Sequence, residues 1–425
     1  MPQSTACFQP TQAALAPRPA QAPRLRLNAS FGWQSWEGDR WWRTMRGQVP
    51  ELAALGITHI WLPPPSASVS TQGYLPGQLY MLNSRYGTGA ELRALCADLL
   101  KAGVRPVADI VINHRCADAQ DESGTWNIYR DMVPHPGKSI AWGRWAIAGS
   151  DRQFGGQGSP DSGEDYGPAP DLDHTNPEVR DSLVDWLNYL RLSVGFEGWR
   201  FDFVKASSGE YVERTVGPDA FCVGELFLDL KWSNSFLEYG QEAARGQFQD
   251  WLRAARHCCL FDFLTKGQLQ EAAKHHEYDR LRDGQGRAPG LLGARPEHSV
   301  TFVDNHDTGS SQQHWPFPRG FLGLGYAYIL THPGMPCIFH EHLQDSGLRQ
   351  AITELVALRK RAGIRSDSKL EILCAERDIY VARCNGNVVL KLGPRFDMGG
   401  LVPKAAEGWR LVQSGNDYAV WEKAA

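Results

Sequence analysis

Gly198-Trp-Arg-Phe-Asp-Phe203 is the stretch that decides the fold. It is short, apolar and aromatic, as a buried strand should be, yet it carries two opposite charges. Side chains alternate along a strand, so Arg200 and Asp202 point to the same face. Two further acids lie at or just after the end of similar runs: Glu225 in Val223-Gly-Glu225 and Asp307 in Val303-Asp-Asn-His-Asp307. Acids at the C-terminal ends of successive strands are what a (β/α)8 barrel uses to build an active site. Taken singly, each is more simply a surface or ion-paired acid. Three in apolar or aromatic surroundings point instead to glycoside chemistry, in which one carboxylate attacks and another protonates the leaving oxygen.

Outward from that stretch, eight short apolar, β-prone runs can be picked out, most followed by a helical pattern. They lie near Leu25–Phe31, Ile57–Leu62, Arg105–Ile112, Gly198–Phe203, Phe221–Glu225, Cys259–Phe263, Ser299–Val303 and Pro336–Phe339. Strands alternating with helices predict a parallel sheet, and eight of them predict closure into a barrel. The helix before the fourth strand is well signalled, with Asn176 as N-cap, Pro177 at its first position and an apolar face of Leu183, Val184, Leu187 and Leu190. Gly89 to Ala102 is a second helix, ended by Gly103.

Between His114 and His174 the rhythm stops. The stretch is rich in Gly, Asp, Pro and Trp and far too long for a βα loop, so a folded excursion is expected. From about Ser366 the pattern is all-β, with Asn385-Gly386 as a hairpin turn. The expected organisation is an α/β protein: a tail over 1–24, a barrel over 25–113 and 175–362, an insertion over 114–174 and an antiparallel β-sheet domain over 363–425.

Composition narrows the function classes. A chain of 425 residues exceeds the roughly 250 of a barrel alone, leaving room for these additions. A net charge of −4 argues against a nucleic-acid partner. No apolar run reaches the roughly 18 residues of a membrane span. Fifteen tryptophans suit sugar stacking, although a packed core also uses them. The first 22 residues have no secretory h-region, which suggests a disordered tail or a weak organelle-targeting segment, and so a cytoplasmic or plastid location. Nine scattered cysteines without CxxC pairs suggest reduced thiols.

The chemistry follows residue by residue. Arg200 beside Asp202 is expected to lower its pKa and keep it ionised, as a nucleophile requires; a structural ion pair is the alternative. Glu225 follows Phe221-Cys-Val-Gly224 with no cation next to it in sequence, and an apolar site would keep it protonated as a general acid/base. Asp307, after His306, could grip ring hydroxyls and favour positive charge on the sugar, and His114 could contact sugar in the same way. Either His could equally be a satisfied core or loop residue. Asp151, Asp161, Glu164, Asp165, Asp171 and Asp173 crowd the excursion, where Gly-rich backbone and oxygen ligands suit calcium. A solvated acidic loop would look much the same.

Together the blocks Ala108-Asp-Ile-Val-Ile-Asn-His114, Gly198-Trp-Arg-Phe-Asp-Phe203, Val223-Gly-Glu225 and Phe302-Val-Asp-Asn-His-Asp307 resemble the four signature blocks of the α-amylase family, above all its plant-type members. Gly56-Ile-Thr-His-Ile-Trp-Leu-Pro63, Trp315-Pro-Phe-Pro318 and Gly415-Asn-Asp-Tyr-Ala-Val-Trp-Glu422 extend the likeness, which covers roughly Phe31 to Lys423. The resemblance implies retaining endo-hydrolysis of α-1,4-glucans by a monomer, with an α-glucan as partner and calcium as cofactor. It implies Asp202 as nucleophile, Glu225 as acid/base and Asp307 as transition-state stabiliser. Tyr74, His114, Arg200, Lys205 and His306 match substrate or nucleophile contacts. Asn113, Asp151, Asp161, Asp165 and Asp171 match side-chain calcium ligands, completed by backbone oxygens near Glu164, Tyr166, Ala169 and Ala206.

The chain departs from the plant pattern in places. Glu225-Leu-Phe227 replaces Glu-Ile-Trp, Ala294-Arg295 replaces a paired Trp used for surface starch binding, and Phe396 replaces a Tyr used similarly. Weak adsorption to granules is therefore expected. Arg130 and Ala141 stand where a further calcium site would have acids, so fewer ions should bind. An α-glucan transglycosylase of the same family and a non-catalytic glucan-binding relative are the competing expectations; the intact triad argues against the second.

Overall fold

The computed structural model describes residues 25–132, 140–161, 163, 166–206, 209–216 and 220–424. Eight parallel strands close into a barrel in which each neighbours the next in sequence. They are β1 (Leu27–Ala29), β2 (His59–Leu62), β3 (Arg105–Ile110), β4 (Gly198–Phe201), β5 (Phe221–Gly224), β6 (Cys258–Phe261), β7 (Ser299–Phe302) and β8 (Met335–Phe339). All eight expected runs are strands. The observed strands at the acidic blocks stop one or two residues short, because the backbone leaves the ladder at Asp202, Glu225 and Val303 to turn across the barrel mouth.

The period of two sorts the side chains. Leu27, Ala29, Trp61, Val107, Val223, Phe261, Val300, Phe302, Cys337 and Phe339 fill the barrel interior, and Ile60, Ala108, Cys222, Leu260 and Ile338 face the surrounding helices. Full burial of each large apolar side chain contributes about 1.5–3 kcal/mol.

Among the described residues, eight helices form the outer ring: α1 (Trp41–Leu55), α2 (Gly89–Lys101), α3 (Pro177–Tyr189), α4 (Gly209–Val216), α5 (Glu242–Ala254), α6 (Phe263–His275), α7 (Leu322–Thr331) and α8 (Ser346–Arg361). The helix expected from Asn176 and Pro177 begins where they place it, and the one expected to end at Gly103 stops just before it. Thr88 and Glu91 make a reciprocal capping box on α2, and Asn176 accepts from the Glu178 N–H at the start of α3.

The excursion after β3 is folded, and it buries more apolar surface than its composition suggests. Tyr129, Ile140, Trp142, Ala146, Ile147 and Leu172 are all buried in it. Its ends meet in a bridge between His114 and Asp171, where the Leu172 N–H donates to the Asn113 carbonyl at 2.9 Å. At the C-terminus, β9 (Leu370–Glu376), β10 (Ile379–Cys384), β11 (Val388–Leu392), β12 (Trp409–Gly415) and β13 (Tyr418–Lys423) form an antiparallel sheet. Asn385 and Gly386 both take positive φ in the turn joining β10 to β11.

The expectation of wholly reduced thiols does not hold. Cys222 of β5 and Cys258 of β6 are register partners with Cα atoms 4.9 Å apart, and they form a disulfide. A pairing set by strand register leaves no mark in linear spacing. The 1–24 tail lies outside the described residues, and no helix among those described is long and apolar enough to cross a membrane.

Candidate active site

Arg200 is the centre of the barrel mouth. It is fully buried, and its Nη1 donates to Asp109 Oδ1 at 2.8 Å and to Asp202 Oδ1 at 2.6 Å. Its Nη2 lies 2.7 Å from Glu225 Oε2, and the guanidinium sits 4.7 Å from the centre of the Trp61 ring. Parallel register explains the convergence: Arg200 pairs with Asp109 on β3 and with Val223 on β5, two residues before Glu225. Glu225 therefore does have a cation beside it, contrary to the expectation from its sequence neighbours, because that cation comes from the adjacent strand.

The strand ends are shaped to hold the acids together. Phe203, just after Asp202, takes a left-handed φ of 47°, uncommon for a bulky residue. The turn aims its N–H at Glu225 Oε2, 3.4 Å away, and Val204 N donates to the Glu225 carbonyl at 3.1 Å.

Burial dominates the electrostatics. Desolvation raises Asp202 to about 6, with Arg200 opposing and Asp109 and Asp307 reinforcing the rise. The expected lowering by Arg200 is thus outweighed. Desolvation also raises Glu225 to about 7, again against Arg200. Burial thus raises both acids, favouring a protonated carboxyl in the pair, and the direct hydrogen bond from Arg200 to Asp202 supports the charged form there.

Asp307 is more open, with its side chain 33 % exposed against 13 % for Asp202 and 14 % for Glu225. Gln312 Nε2 donates to its Oδ1 at 2.7 Å, and His306 Nε2 is 3.2 Å from its Oδ2. Tyr74 bridges the two sides of the mouth, with its hydroxyl 2.9 Å from Asp109 Oδ2 and 2.8 Å from His306 Nε2. Trp33, Tyr74 and His306 lie nearly parallel, with interplanar angles of 8°, 4° and 6°. His114 shares its Nε2 with the Tyr74 carbonyl at 2.8 Å and stacks on Tyr166 at 3.9 Å. Burial pushes both His114 and His306 down to about 4, so both rings are neutral at pH 7. Lys205 sits at the rim, paired with Asp229 at 3.0 Å.

The residues matched to calcium come together in part. Asn113 Nδ2 donates to Asp171 Oδ1 at 2.9 Å, the Asp171 N–H donates to Asp151 Oδ2 at 3.0 Å, and Tyr166 N donates to Asp171 Oδ2 at 2.8 Å. Asn113 Oδ1 is buried with no hydrogen-bond partner, the state of an oxygen suited to a hard cation. The Asp161 N–H donates to Ser150 at 3.0 Å. Asp165 and Glu164 lie outside the described residues. Among those described, no three His, Cys, Asp or Glu side chains already stand as a metal site.

Sequence reasoning missed Asp109, Trp61 and Gln312. Asp109 had a usable signal, as a lone charge inside the apolar run Val107-Ala-Asp-Ile-Val-Ile112 with the same parity as inward-facing Val107. Trp61 reads as core, and Gln312 lies in a loop with no periodicity.

Known proteins were compared with this chain. The family profile described as "Alpha amylase, catalytic domain" matches residues 37–221, and "Alpha-amylase C-terminal beta-sheet domain" matches residues 361–422. "Probable alpha-amylase 2" of Arabidopsis thaliana is 41 % identical over 399 residues, 93 % of either chain. "Alpha-amylase 3, chloroplastic" of the same plant is 39 % identical over 93 % of this chain, which spans 44 % of that protein. Among solved structures, a cyclomaltodextrin glucanotransferase with a three-domain ABC distribution superposes with a TM-score of 0.67 at 17 % identity, over 94 % of this chain and 97 % of that one. That likeness is one of fold.

Proposed function

This chain belongs to the α-amylase family, and from that premise we propose that it hydrolyses α-1,4-glucosidic bonds within starch, glycogen and related glucans with retention of configuration. Asp202 attacks the anomeric carbon. Glu225 protonates the departing glycosidic oxygen and then, as a carboxylate, activates the water that releases the glycosyl-enzyme. Asp307, with His306, stabilises the positive charge that develops on the ring. Tyr74 and His114 face the same sugar, and Lys205 contacts the chain at the rim.

The observation that carries this proposal is the grip of Arg200 on both Asp202 and Glu225, at 2.6 and 2.7 Å. One buried cation sets the spacing and orientation of the two acids before substrate arrives, so little reorganisation remains for the reaction. The catalytic unit spans 25–113 and 175–362, with the calcium-binding insertion at 114–174 and the sheet domain at 363–425.

Calcium would be held by Asn113, Asp151 and Asp171; Asp161 and backbone oxygens are the further ligands proposed, and Asp165, also matched to calcium, lies outside the described residues. When bound it supplies positive charge that ties the excursion to the end of β3, and no step of the reaction passes through it. The chloroplastic relative favours a plastid setting for this chain.

Reducing-end release from soluble starch, by the wild type and by Glu225→Gln, each with calcium and with chelator, tests the proposal. Activity that the substitution abolishes and chelation weakens is expected. Glucan binding without any wild-type hydrolysis would leave a binding protein in its place. Longer products in place of new reducing ends would leave a transglycosylase.

A further inference from the structure

Beneath the loop that carries Asp307 lies a buried cation that the chemistry above does not use. Lys266 stands in the first turn of α6 and is 1 % exposed. Its Nζ donates to the Trp315 carbonyl at 2.8 Å and to the side chain of Gln270. It lies 3.7 Å from Asp304 Oδ1 and 4.5 Å from the centre of the Trp315 ring. An ammonium this deep is costly unless paired, and Asp304, itself 2 % exposed, is its partner.

Asp304 in turn gathers the loop. Its carboxylate accepts from Thr308 Oγ1 at 2.9 Å and from the Phe317 N–H at 3.2 Å to both oxygens. Next to it, Asn305 Oδ1 accepts from the Asp307 N–H at 3.0 Å and the Thr308 N–H at 2.9 Å. The start, middle and end of the segment from 304 to 317 are thus tied to one charge, and Asp307 rides on that segment.

We infer that Lys266 is a positioning residue for the reaction: by pairing with Asp304 and holding the Trp315 carbonyl, it fixes the loop that presents Asp307 and His306 to the reacting sugar. This rests on the role proposed for Asp307 and adds a group that never touches substrate. Without the ammonium, Asp304 is a buried unpaired charge and the loop relaxes around it. A displacement of about 1 Å at a reacting group costs about 100-fold in rate.

The charge on Lys266 can be titrated. It faces Asp304 from the loop after β7, Glu271 from its own helix and His342 from the loop after β8; burial pushes His342 down to about 4, so it is neutral at pH 7. Burial lowers Lys266 to about 8, with Asp304 opposing. The cation is present at lower pH and lost as pH rises through that value.

The test uses the full calcium-loaded chain on two substrates, a maltooligosaccharide and an α-maltosyl fluoride, whose fluoride leaves without a proton from Glu225. Lys266→Met should lower kcat about 30- to 100-fold on both with KM within about twofold, and Lys266→Arg should recover most of the loss. On the fluoride, wild-type kcat should decline above about pH 8 and that decline should vanish in Lys266→Met. An unchanged kcat in Lys266→Met, or a fall matched by an equal rise in KM, overturns the inference. If that variant does not fold, Lys266→Gln takes its place in the same two assays, and an unchanged kcat there overturns the inference. Asp307→Asn separates the two levels: an inactive Asp307→Asn beside a fully active Lys266→Met removes only the positioning role, whereas an active Asp307→Asn removes the role of Asp307 as well.

Discussion

Asp202 and Glu225 directly follow neighbouring barrel strands, whereas Asp307 stands out on a loop, and the molecule holds the two kinds of acid by different means. The strand acids inherit their positions from the ladder: Asp202 N donates to Ile110 O and Glu225 N to Phe201 O, each at 2.9 Å, and Arg200 sets the side chains. The loop acid has no ladder, so a buried carboxylate and amide, Asp304 and Asn305, do for it what β3, β4 and β5 do for the others. The acids at the strand ends should therefore fail only when they or the Arg200 between them are replaced. A loop-mounted group should also fail when its support is.

The largest effect expected is from Asp202→Asn, a loss of about 10⁴- to 10⁶-fold in kcat on any glucan. Glu225→Gln should cost about 10²- to 10⁴-fold on glucans and much less on a glycosyl fluoride. Asp307→Asn should cost about 10²- to 10³-fold, in kcat more than in KM. The contrast between strand and loop breaks if Asp307→Asn matches Asp202→Asn in steady-state assays.

The pH dependence of kcat/KM sharpens the contrast. Activity should follow a bell whose two limbs belong to the Asp202–Glu225 pair, both displaced above the ordinary carboxylate range by burial. Both pKa values are raised on folding, so the stability these groups contribute is present at low pH and lost as pH rises through 6 to 7. Melting curves of Asp202→Asn should lose part of that decline. Chelation comes next in size: with calcium at about 100 times its Kd, removal should cost about 2.7 kcal/mol of stability and lower the melting temperature, with proteolysis beginning in the excursion. The smallest effect is at the β10–β11 turn, where Gly386→Ala meets a φ of 74° and should cost about 1 kcal/mol without touching kcat.

The barrel was legible in the sequence because each strand is a short apolar run, and two of the helices between them are marked by Asn176, Pro177 and Gly103. The three acids were legible because an acid at the end of such a run is chemically conspicuous. What the sequence concealed is whatever depends on register between strands. The reach of Arg200 to Glu225, the pairing of Cys222 with Cys258 and the contact of Asp109 with Tyr74 all join residues far apart in the chain. The direction of the Asp202 shift was missed for a related reason. A neighbouring cation is visible in linear order, but the depth of burial that outweighs it is a property of the closed barrel. In the excursion, aromatic residues such as Tyr129 and Trp142 follow no helix or strand period, so their small core could not be read.

Asn113 and His114 are consecutive, yet one reaches into the cluster with Asp151 and Asp171 while the other lines the sugar site, and Tyr166 touches both. On the proposed roles, a cation at the first and a glucan at the second would be joined through two consecutive residues. Thermodynamic linkage makes such sharing symmetric. If the metal tightens the sugar by some factor, the sugar must tighten the metal by the same factor, so glucan would then protect the proposed ion against chelation.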